Sequence, residues 1–271
     1  MVQLGIFALL AFVALLLATF MVGVRQPVFA IGRGEPTWFV ALKRARAGVL
    51  DLAPGVTITW AARADFAFIG SEAYWSDFLI LAGGDGAKPP LALGAGVEDA
   101  YIARVSLVRP PAMMLGVLRL LVMSGVLSRP SGPVIRDVAA LGHNAAYLPS
   151  SDAITNLLAR PQNYAPAMVN FLQYNGREGA GAYRRYGRVA LRTVYRTGGH
   201  LLFYGRIGEV LRPASAGPCM GHWDDVAAMR YNRPDAILSM EHAPDYRASL
   251  HHRDEGLVRT VVIASTPGGQ G

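Results

Sequence analysis

Residues Ala167–Tyr174 read AMVNFLQY, residues 200–207 read HLLFYGRI, and a stretch rich in arginine and tyrosine, 176–195, lies between them. The two flanking segments are short, apolar and rich in residues that favour strands. The stretch between them repeats apolar and aromatic positions at helical spacing, so that one face carries Tyr183, Tyr186, Ala190 and Val194. The pattern predicts a strand, a helix and a second strand.

The opposite face of this predicted helix carries a row of arginines, Arg184, Arg188, Arg192 and Arg196. Such a row is typical of the solvated side of an amphipathic helix, and contact with anionic lipid head groups is the alternative. Further along, 222–231 (HWDDVAAMRY) and 259–265 (RTVVIAS) read as strands, and 236–252 reads as a helix interrupted at Pro244. The resulting βαββαβ order predicts a ferredoxin-like unit whose antiparallel sheet is covered by helices on one face.

The earlier half of the chain contains a degenerate copy of this unit. Residues 74–77 (YWSD) parallel 222–225 (HWDD), and residues 97–103 (VEDAYIA) parallel 255–261 (EGLVRTV). Its helices are not evident, because the connection at 83–96 is rich in glycine and proline. We therefore expect an α+β fold with a degenerate ferredoxin-like unit at 36–110, a helical linker at 111–165 and a second unit at 166–266. The two units are expected to form one α+β barrel.

The N-terminal residues 2–24 contain no charged side chain. As a helix they would be long enough to cross a bilayer, which predicts a single-pass transmembrane anchor over residues 1–25 that contacts membrane lipid. A cleaved signal peptide is the alternative, but no basic residue precedes the apolar run. Basic residues follow it, which predicts that the soluble region faces the cytoplasm.

The distribution of charged and apolar residues limits the classes of partner that the chain is expected to bind. The net charge of +7 comes from 26 basic and 19 acidic residues spread along the chain, which favours an anionic membrane surface over a dedicated nucleic-acid site. No nucleic-acid partner is expected. The apolar run 112–127 contains Arg119 and is short for a second crossing, so it predicts a helix packed on the domains or lying at the bilayer surface. The single cysteine, Cys219, cannot make an internal disulfide framework.

Residues 152–265 resemble the domain-of-unknown-function family thirteen-thirty of the dimeric α+β barrel superfamily. A series of short segments in order carries the resemblance: 157–158 (LL), 168–172 (MVNFL), 182–187 (AYRRYG), 198–199 (GG), 204–206 (YGR), 223–224 (WD), 245–246 (DY), 252–253 (HR) and 256–257 (GL). The resemblance implies a ferredoxin-like domain whose sheet faces a second sheet in a barrel, usually between two subunits. It carries over no catalytic residue.

Strand periodicity suggests where a site could lie. The apolar faces, with Val169, Phe171, Leu201 and Phe203, are expected to meet the helices. The mixed faces are expected to point into the space between the two sheets, where a candidate ligand-binding cleft would hold Asn170, Tyr174, His200, Tyr204, Arg206, His222 and Trp223. The competing interpretation is that these tyrosines and histidines only keep a polar tip at the rim of a core.

No metal and no cofactor are expected. His251 and His252 are adjacent on a predicted helix and point in different directions, and His200 and His222 belong to no fixed-spacing motif. Three functions stay open. The first is binding of a small apolar molecule or a protein partner, including a second copy of the chain. The others are a cofactor-independent enzyme of oxygenase or isomerase type and an accessory subunit of a membrane complex.

Overall fold

Ten strands and five α-helices make up the part of the chain that the computed structural model describes, residues 2–23, 26–46, 48–138 and 143–268. The strands of the first half are β1 (Thr37–Arg44), β2 (Asp51–Leu52), β3 (Val56–Ile69), β4 (Asp77–Gly83), β5 (Leu91–Ala92) and β6 (Val97–Leu107). Those of the second half are β7 (Ala167–Tyr174), β8 (His200–Arg212), β9 (Asp225–Arg230) and β10 (Leu257–Pro267). The helices are α1 (Val2–Gly23), α2 (Ala112–Met123), α3 (Ser151–Leu158), α4 (Gly176–Arg196) and α5 (Pro244–Gly256).

Eight of the strands close into one antiparallel barrel in the order β1-β4-β3-β10-β7-β9-β8-β6. The four strands of the second half are neighbours in the order fourth, first, third, second, as β10-β7-β9-β8. The four long strands of the first half follow the same order, as β6-β1-β4-β3. Pairing of β3 with β10 and of β6 with β8 joins the halves, so that no strand of the barrel has an open edge.

The two halves differ in what connects their strands. In the second half the crossovers are the helices α4 and α5. In the first half they are short segments containing β2 and β5, which pair with each other through Asp51 with Ala92 and Leu52 with Leu91. This two-stranded ribbon packs on an apolar cluster on the outer face of the four barrel strands of the first half, β6-β1-β4-β3. In this cluster Leu91 is buried beside Trp38 and Leu81. Glycine and proline in these crossovers disfavour helices, which explains why short extended segments take the place of helices in the first half.

Aromatic side chains fill the interior of the barrel. They include Phe39, Trp60, Trp75, Phe78, Tyr101, Phe171, Phe203 and Trp223, all buried in one cluster. An eight-stranded barrel is just wide enough for its side chains to fill. The strand faces that carry these rings therefore point inward, and the prediction that Val169, Phe171 and Phe203 meet the helices is wrong. The predicted cleft between the two sheets is occupied by these side chains.

The N-terminal helix α1 packs along α2. A Cβ atom placed on Gly116 would lie 1.9 Å from the Thr19 carbonyl oxygen, so the two helices meet at a residue that has no side chain.

Within the described residues no helix combines the length and the apolar character that crossing a membrane requires. The prediction of an N-terminal transmembrane helix is therefore wrong, and with it the fold class as stated and the single-pass membrane localisation. The lipid contact through 2–24 stays a prediction. The cytoplasmic placement of the soluble region rested on the same helix and is withdrawn. Positions 1, 24 and 25 of the predicted anchor lie outside the described residues. The structure is a mixed α/β fold built mostly of antiparallel sheet with helices.

Three local features differ from the sequence pattern. Pro244 begins α5 instead of interrupting a helix, because the first helical position needs no backbone N–H donor. Strand β9 begins at Asp225, so His222 and Trp223 precede it. Strand β8 pairs with β9 through an irregularity between Leu201 and Phe203, where one extra residue interrupts the alternation of faces.

Candidate functional site

We call the four barrel strands of the second half, β10-β7-β9-β8, the second sheet. A cavity of about 620 Å³ lies between the outer face of this sheet and the helices α4 and α5. Its floor is formed by the outward-facing residues of β7, β8 and β9, with Thr260 and Val262 of β10. Helix α4 forms much of the roof, and loops around residues 108–111 and 147–149 form two of the sides. A volume of this size is typical of sites that hold a drug-sized molecule.

The register of the sheet arranges the floor in rows of increasing polarity. Met168, Met229 and Leu201 are paired across the strands and form an apolar row. The next row pairs Asn170, Ala227 and Tyr204, and the one after it pairs Leu172, Asp225 and Arg206. All nine of these side chains line the cavity, and Tyr174 follows at the end of β7. The cavity therefore has an apolar end near Met168 and a polar end near Tyr174.

A buried carboxylate held by two phenols marks the polar end. The Tyr174 hydroxyl donates to Asp225 Oδ2 at 2.5 Å, the Tyr204 hydroxyl donates to the same oxygen, and the two hydroxyl oxygens are 2.8 Å apart. Asp225 is only 6% exposed. Burial raises the pKa of Asp225, and it raises the pKa of Tyr174 and Tyr204 well above the ordinary value for a phenol. Both phenols are therefore neutral donors.

Three further tyrosines extend from the polar end towards the middle of the cavity. The ring centroids of Tyr174 and Tyr183 are 5.2 Å apart, those of Tyr183 and Tyr186 are 5.3 Å apart, and those of Tyr186 and Tyr246 are 5.9 Å apart. The hydroxyls of Tyr186 and Tyr246 are 3.2 Å apart, within hydrogen-bonding distance. A row of rings of this kind offers contact area at low cost in side-chain entropy.

Five arginines and two carboxylates are the charged residues that line the cavity: Arg109, Arg184, Arg188, Arg206, Arg253, Asp225 and Glu241. Arg184, Arg188 and Arg206 are exposed at its mouth. Arg253 is 8% exposed and lies with its Nη2 atom 2.9 Å from Asp254 Oδ1. The charge around the cavity is thus predominantly positive.

Gly187 leaves part of the roof without a side chain. It lies in the middle of α4 and lines the cavity, and a Cβ atom added to it would have no heavy atom within 4 Å. A glycine inside a helix lowers stability by about 1 kcal/mol relative to alanine. The sequence therefore accepts a less stable helix at a position where a side chain would occupy the cavity.

The candidate residues chosen from the sequence separate into two groups. Asn170, Tyr174, Tyr204 and Arg206 lie together on the floor of the cavity, but beneath the helices and not inside the barrel as predicted. His200, His222 and Trp223 do not line the cavity. The structure thus brings together four of the seven.

Each of the other three has a different setting. Trp223 is buried in the barrel interior, where its Nε1 donates to the Cys219 carbonyl oxygen at 2.8 Å. His222 is exposed, with Nε2 3.2 Å from Asp224 Oδ1. His200 is half-buried, and its burial, together with the charges of Arg119 and Arg230, lowers its pKa to about 4.

Asp225, Tyr183, Tyr246, Arg253 and Gly187 were missed by the sequence analysis. Asp225 could have been found from its position on β9, because its alternation with Val226 places it on the face opposite to the interior residues. Arg184 and Arg188 were noticed, but only as part of a solvated row. The ferredoxin-like prediction placed both helices on one face of the sheet, but it did not indicate that Tyr246 and Arg253 of α5 would face the cavity.

Among the residues that the structure describes, no three histidines, cysteines, aspartates or glutamates lie close enough together to hold a metal ion. The acidic and basic groups of the cavity instead suit a ligand held by hydrogen bonds and ion pairs. The fold and the cavity define a closed α+β barrel with a ligand-sized space on the outer face of one of its sheets.

Comparison with known proteins adds little to this description. No protein-family model matches the chain, and no curated protein matches it. Two solved structures resemble part of it: that of RPA0582, a protein of unknown function from Rhodopseudomonas palustris and a structural genomics target, and that of methylated RPA0582. The first has 25% identity, a TM-score of 0.38 and covers 45% of this chain and 95% of its own; the second has 26% identity, a TM-score of 0.39 and the same coverage. Both TM-scores are too low to transfer a fold or a function.

Proposed function

We propose that this protein binds a small, largely apolar molecule in the cavity between the second sheet and the helices α4 and α5. The observation that carries the proposal is a space of about 620 Å³ whose walls are mainly apolar and whose polar groups converge at one end, on Asp225. A pocket that combines apolar walls with a few convergent polar groups is the usual form of a small-molecule site.

The arrangement at the polar end supports binding in a defined orientation. Tyr174 and Tyr204 satisfy one oxygen of Asp225, which fixes the carboxylate against the floor. A hydroxyl or amide group on the ligand could donate to that carboxylate, while the apolar part of the ligand would lie on Met168, Met229 and Leu201. Burial of the apolar part supplies the affinity, and the polar contact sets the orientation.

Gly187→Trp tests the proposal, because the indole would enter open space in the cavity. The probe is N-phenyl-1-naphthylamine, an uncharged aromatic amine whose fluorescence rises in apolar surroundings. We expect the wild-type chain to bind the probe and the variant to bind it at least about ten-fold more weakly, since the indole displaces the contacts on which affinity depends. Fluorescence titration measures both affinities.

Gly181→Trp is the matched control. Gly181 lies in the same helix but does not line the cavity, and a Cβ atom there would meet only the Arg184 Nη2 atom, at 3.8 Å. The control should bind the probe as the wild-type chain does. No binding to the wild-type chain, or equal binding by the Gly187 variant and the control, would refute the proposed site.

Proton-transfer catalysis is a second candidate function, and the raised pKa of Asp225 next to two neutral phenols favours it. In an isomerisation the carboxylate would remove a proton from a carbon next to a carbonyl group and return it elsewhere in the same molecule, so that no co-reactant is consumed. The phenols, which donate to Asp225, would hold that carboxylate in position for both proton transfers. Incubation with a β,γ-unsaturated ketone in D2O, followed by NMR, should show deuterium uptake that Asp225→Asn abolishes. Uptake by that variant at the wild-type rate would exclude this function.

We also propose that the chain is related to the dimeric α+β barrel proteins, with both sheets supplied by one polypeptide. The matching strand orders β6-β1-β4-β3 and β10-β7-β9-β8 support a duplication. Binding of a protein partner, including a second copy, stays a prediction, which size-exclusion chromatography with light scattering tests directly. A monomer at all concentrations would remove the second copy as a partner.

A further inference from the structure

We propose that the ligand of the cavity is an amphiphilic anion, with an apolar body and a carboxylate, sulfonate or phosphate group at one end. The inference rests on the proposed function and adds the charge and the orientation of the ligand. The negative group would lie at the mouth of the cavity between Arg184, Arg188 and Arg206, which we call the arginine rim. The apolar body would point towards Met168.

The rows on the floor of the cavity set the orientation. The row of Met168, Met229 and Leu201 has no polar side chain, whereas the row two pairs further along contains Asp225 and Arg206. A molecule that is apolar throughout would leave the polar end uncompensated, because buried polar groups need partners. An amphiphile would match both ends at once.

No arginine of the rim lies within ion-pair distance of a carboxylate in the described part of the chain, although Arg206 is the cross-strand neighbour of Asp225 and interacts with its charge. Arg184, Arg188 and Arg206 each line the cavity, and none of them forms an ion pair there. The next two arginines of the α4 row behave differently. Arg192 and Arg196 both pair with Asp245 of α5 and contribute nothing to the cavity. Within the row, Arg184 and Arg188 therefore line the cavity without an ion pair, whereas Arg192 and Arg196 are paired with Asp245.

A fourth arginine reaches the cavity from the inside. Arg253 is 8% exposed, and although it lies beside Asp254, its Nη2 atom forms no hydrogen bond of good geometry to any described residue. A buried guanidinium with an unused N–H donor favours a negatively charged or strongly accepting group nearby. It lies on α5 three residues before Gly256, which packs against Gly179 near the start of α4. The Arg253 side chain itself lies near Tyr186 and Tyr246, in the middle of the cavity.

The phenols of the polar end cannot serve the anion in place of the arginines. The hydroxyl hydrogens of Tyr174 and Tyr204 are both directed to Asp225, which leaves guanidinium N–H groups as the free donors. The charge of Asp225 is dispersed by the two phenol hydrogen bonds to its Oδ2 atom and is opposed by Arg206, its cross-strand neighbour. Guanidinium groups bind planar anions such as carboxylate through two parallel hydrogen bonds.

Two probes that share one skeleton test the inference. 8-Anilinonaphthalene-1-sulfonate carries a negative charge, and N-phenyl-1-naphthylamine is the same ring system without the sulfonate. The variants are Arg184→Gln, Arg188→Gln, Arg206→Gln and the triple variant. Arg185→Gln is the matched control, because Arg185 is exposed on the same helix but does not line the cavity.

We expect each rim variant to weaken sulfonate binding by about three- to five-fold and the triple variant by about thirty-fold or more, as for charge pairs at a partly exposed site. Binding of the uncharged probe should stay within about two-fold of wild type throughout. The control should leave both affinities unchanged. Competition by dodecanoate but not by dodecanol would extend the result to carboxylates.

The outcomes separate the inference from the proposed function. If the uncharged probe binds and Gly187→Trp blocks it, the site stands. Should the rim variants then leave sulfonate binding unchanged, or weaken both probes equally, the anionic ligand is refuted and the site is not. If neither probe binds the wild-type chain, both the site and the inference fail.

Discussion

Adjacent residues of β7 offer a direct test of which face of the sheet is packed and which binds. Phe171 is fully buried in the barrel interior, whereas Leu172 is 2% exposed and lines the cavity. We compare Phe171→Ala with Leu172→Ala. The first should strongly lower the free energy of unfolding without changing the affinity for N-phenyl-1-naphthylamine. The second should lower the free energy of unfolding less and should weaken binding of the probe.

The magnitude follows from the surroundings of Phe171. Its ring lies 5.4 Å from Phe39, 6.3 Å from Phe78, 6.0 Å from Tyr101 and 5.5 Å from Trp223, measured between ring centroids. Truncation of a buried phenylalanine costs about 3–5 kcal/mol, and the loss of four aromatic contacts places this one near the upper end. Leu172 borders open space on one side, so its truncation should cost about 2 kcal/mol.

Urea denaturation followed by tryptophan fluorescence measures both free energies, and probe titration below the transition measures binding. Phe171→Leu, expected to cost about 1.5 kcal/mol, keeps the test valid if the alanine variant does not fold. The reasoning is refuted if the effects are exchanged, so that changes at Phe171 abolish binding while Leu172→Ala leaves it intact. That result would place the ligand inside the barrel.

Three further predictions concern charge and helix stability. The raised pKa of Asp225 means that its stabilising contribution is greatest below the ordinary value of 3.8 and falls as pH rises through the folded pKa. Asp225→Asn should therefore gain stability relative to wild type in urea titrations taken from about pH 4 to about pH 7, and a constant difference would contradict this. At Asp245, burial raises the pKa but hydrogen bonding and charge from Arg192 and Arg196 outweigh it, so the net shift is downward. Its contribution should be present above pH 3.8 and lost as pH falls through the lower folded pKa, a loss that Asp245→Asn removes and that unfolding curves in acid can detect. Gly187→Ala should raise the free energy of unfolding by about 0.5–1 kcal/mol, because it supplies a helix former where a Cβ atom meets nothing; no gain in thermal denaturation would mean that the residue is constrained in some other way.

The order of strands and helices in the second half follows closely from the sequence. Residues such as Val169, Phe171 and Ile263 favour strands, and the period of 3.6 between Tyr183 and Val194 specifies α4. Pro244 was interpreted wrongly as a break, because a proline that begins a helix and one that interrupts it look alike without knowledge of the backbone N–H groups. The N-terminal anchor was inferred from apolar composition alone, which contains no information about packing against α2.

The inward and outward faces could not be assigned from alternation. Val169 and Phe171 share one face and Met168 and Leu172 share the other, but both pairs are apolar, so periodicity groups the residues without saying which group faces the interior. Closure of the barrel decides the matter, because the face with Val169 and Phe171 packs in its interior and the face with Met168 and Leu172 lies under the helices. The irregularity between Leu201 and Phe203 adds a shift of one residue that no period of two reveals.

The seams at β3–β10 and β6–β8 have a practical consequence for dissecting the molecule. A polypeptide cut in the linker between α2 and α3 would yield two fragments with four barrel strands each, and each fragment would have two unsatisfied rows of backbone donors and acceptors. Neither fragment should remain dispersed alone, yet the two should recombine when expressed together, because each provides the hydrogen-bonding rows that the other lacks. The molecule is therefore a natural candidate for a split reporter, in which reassembly of the two fragments restores both the closed barrel and the cavity on its outer face.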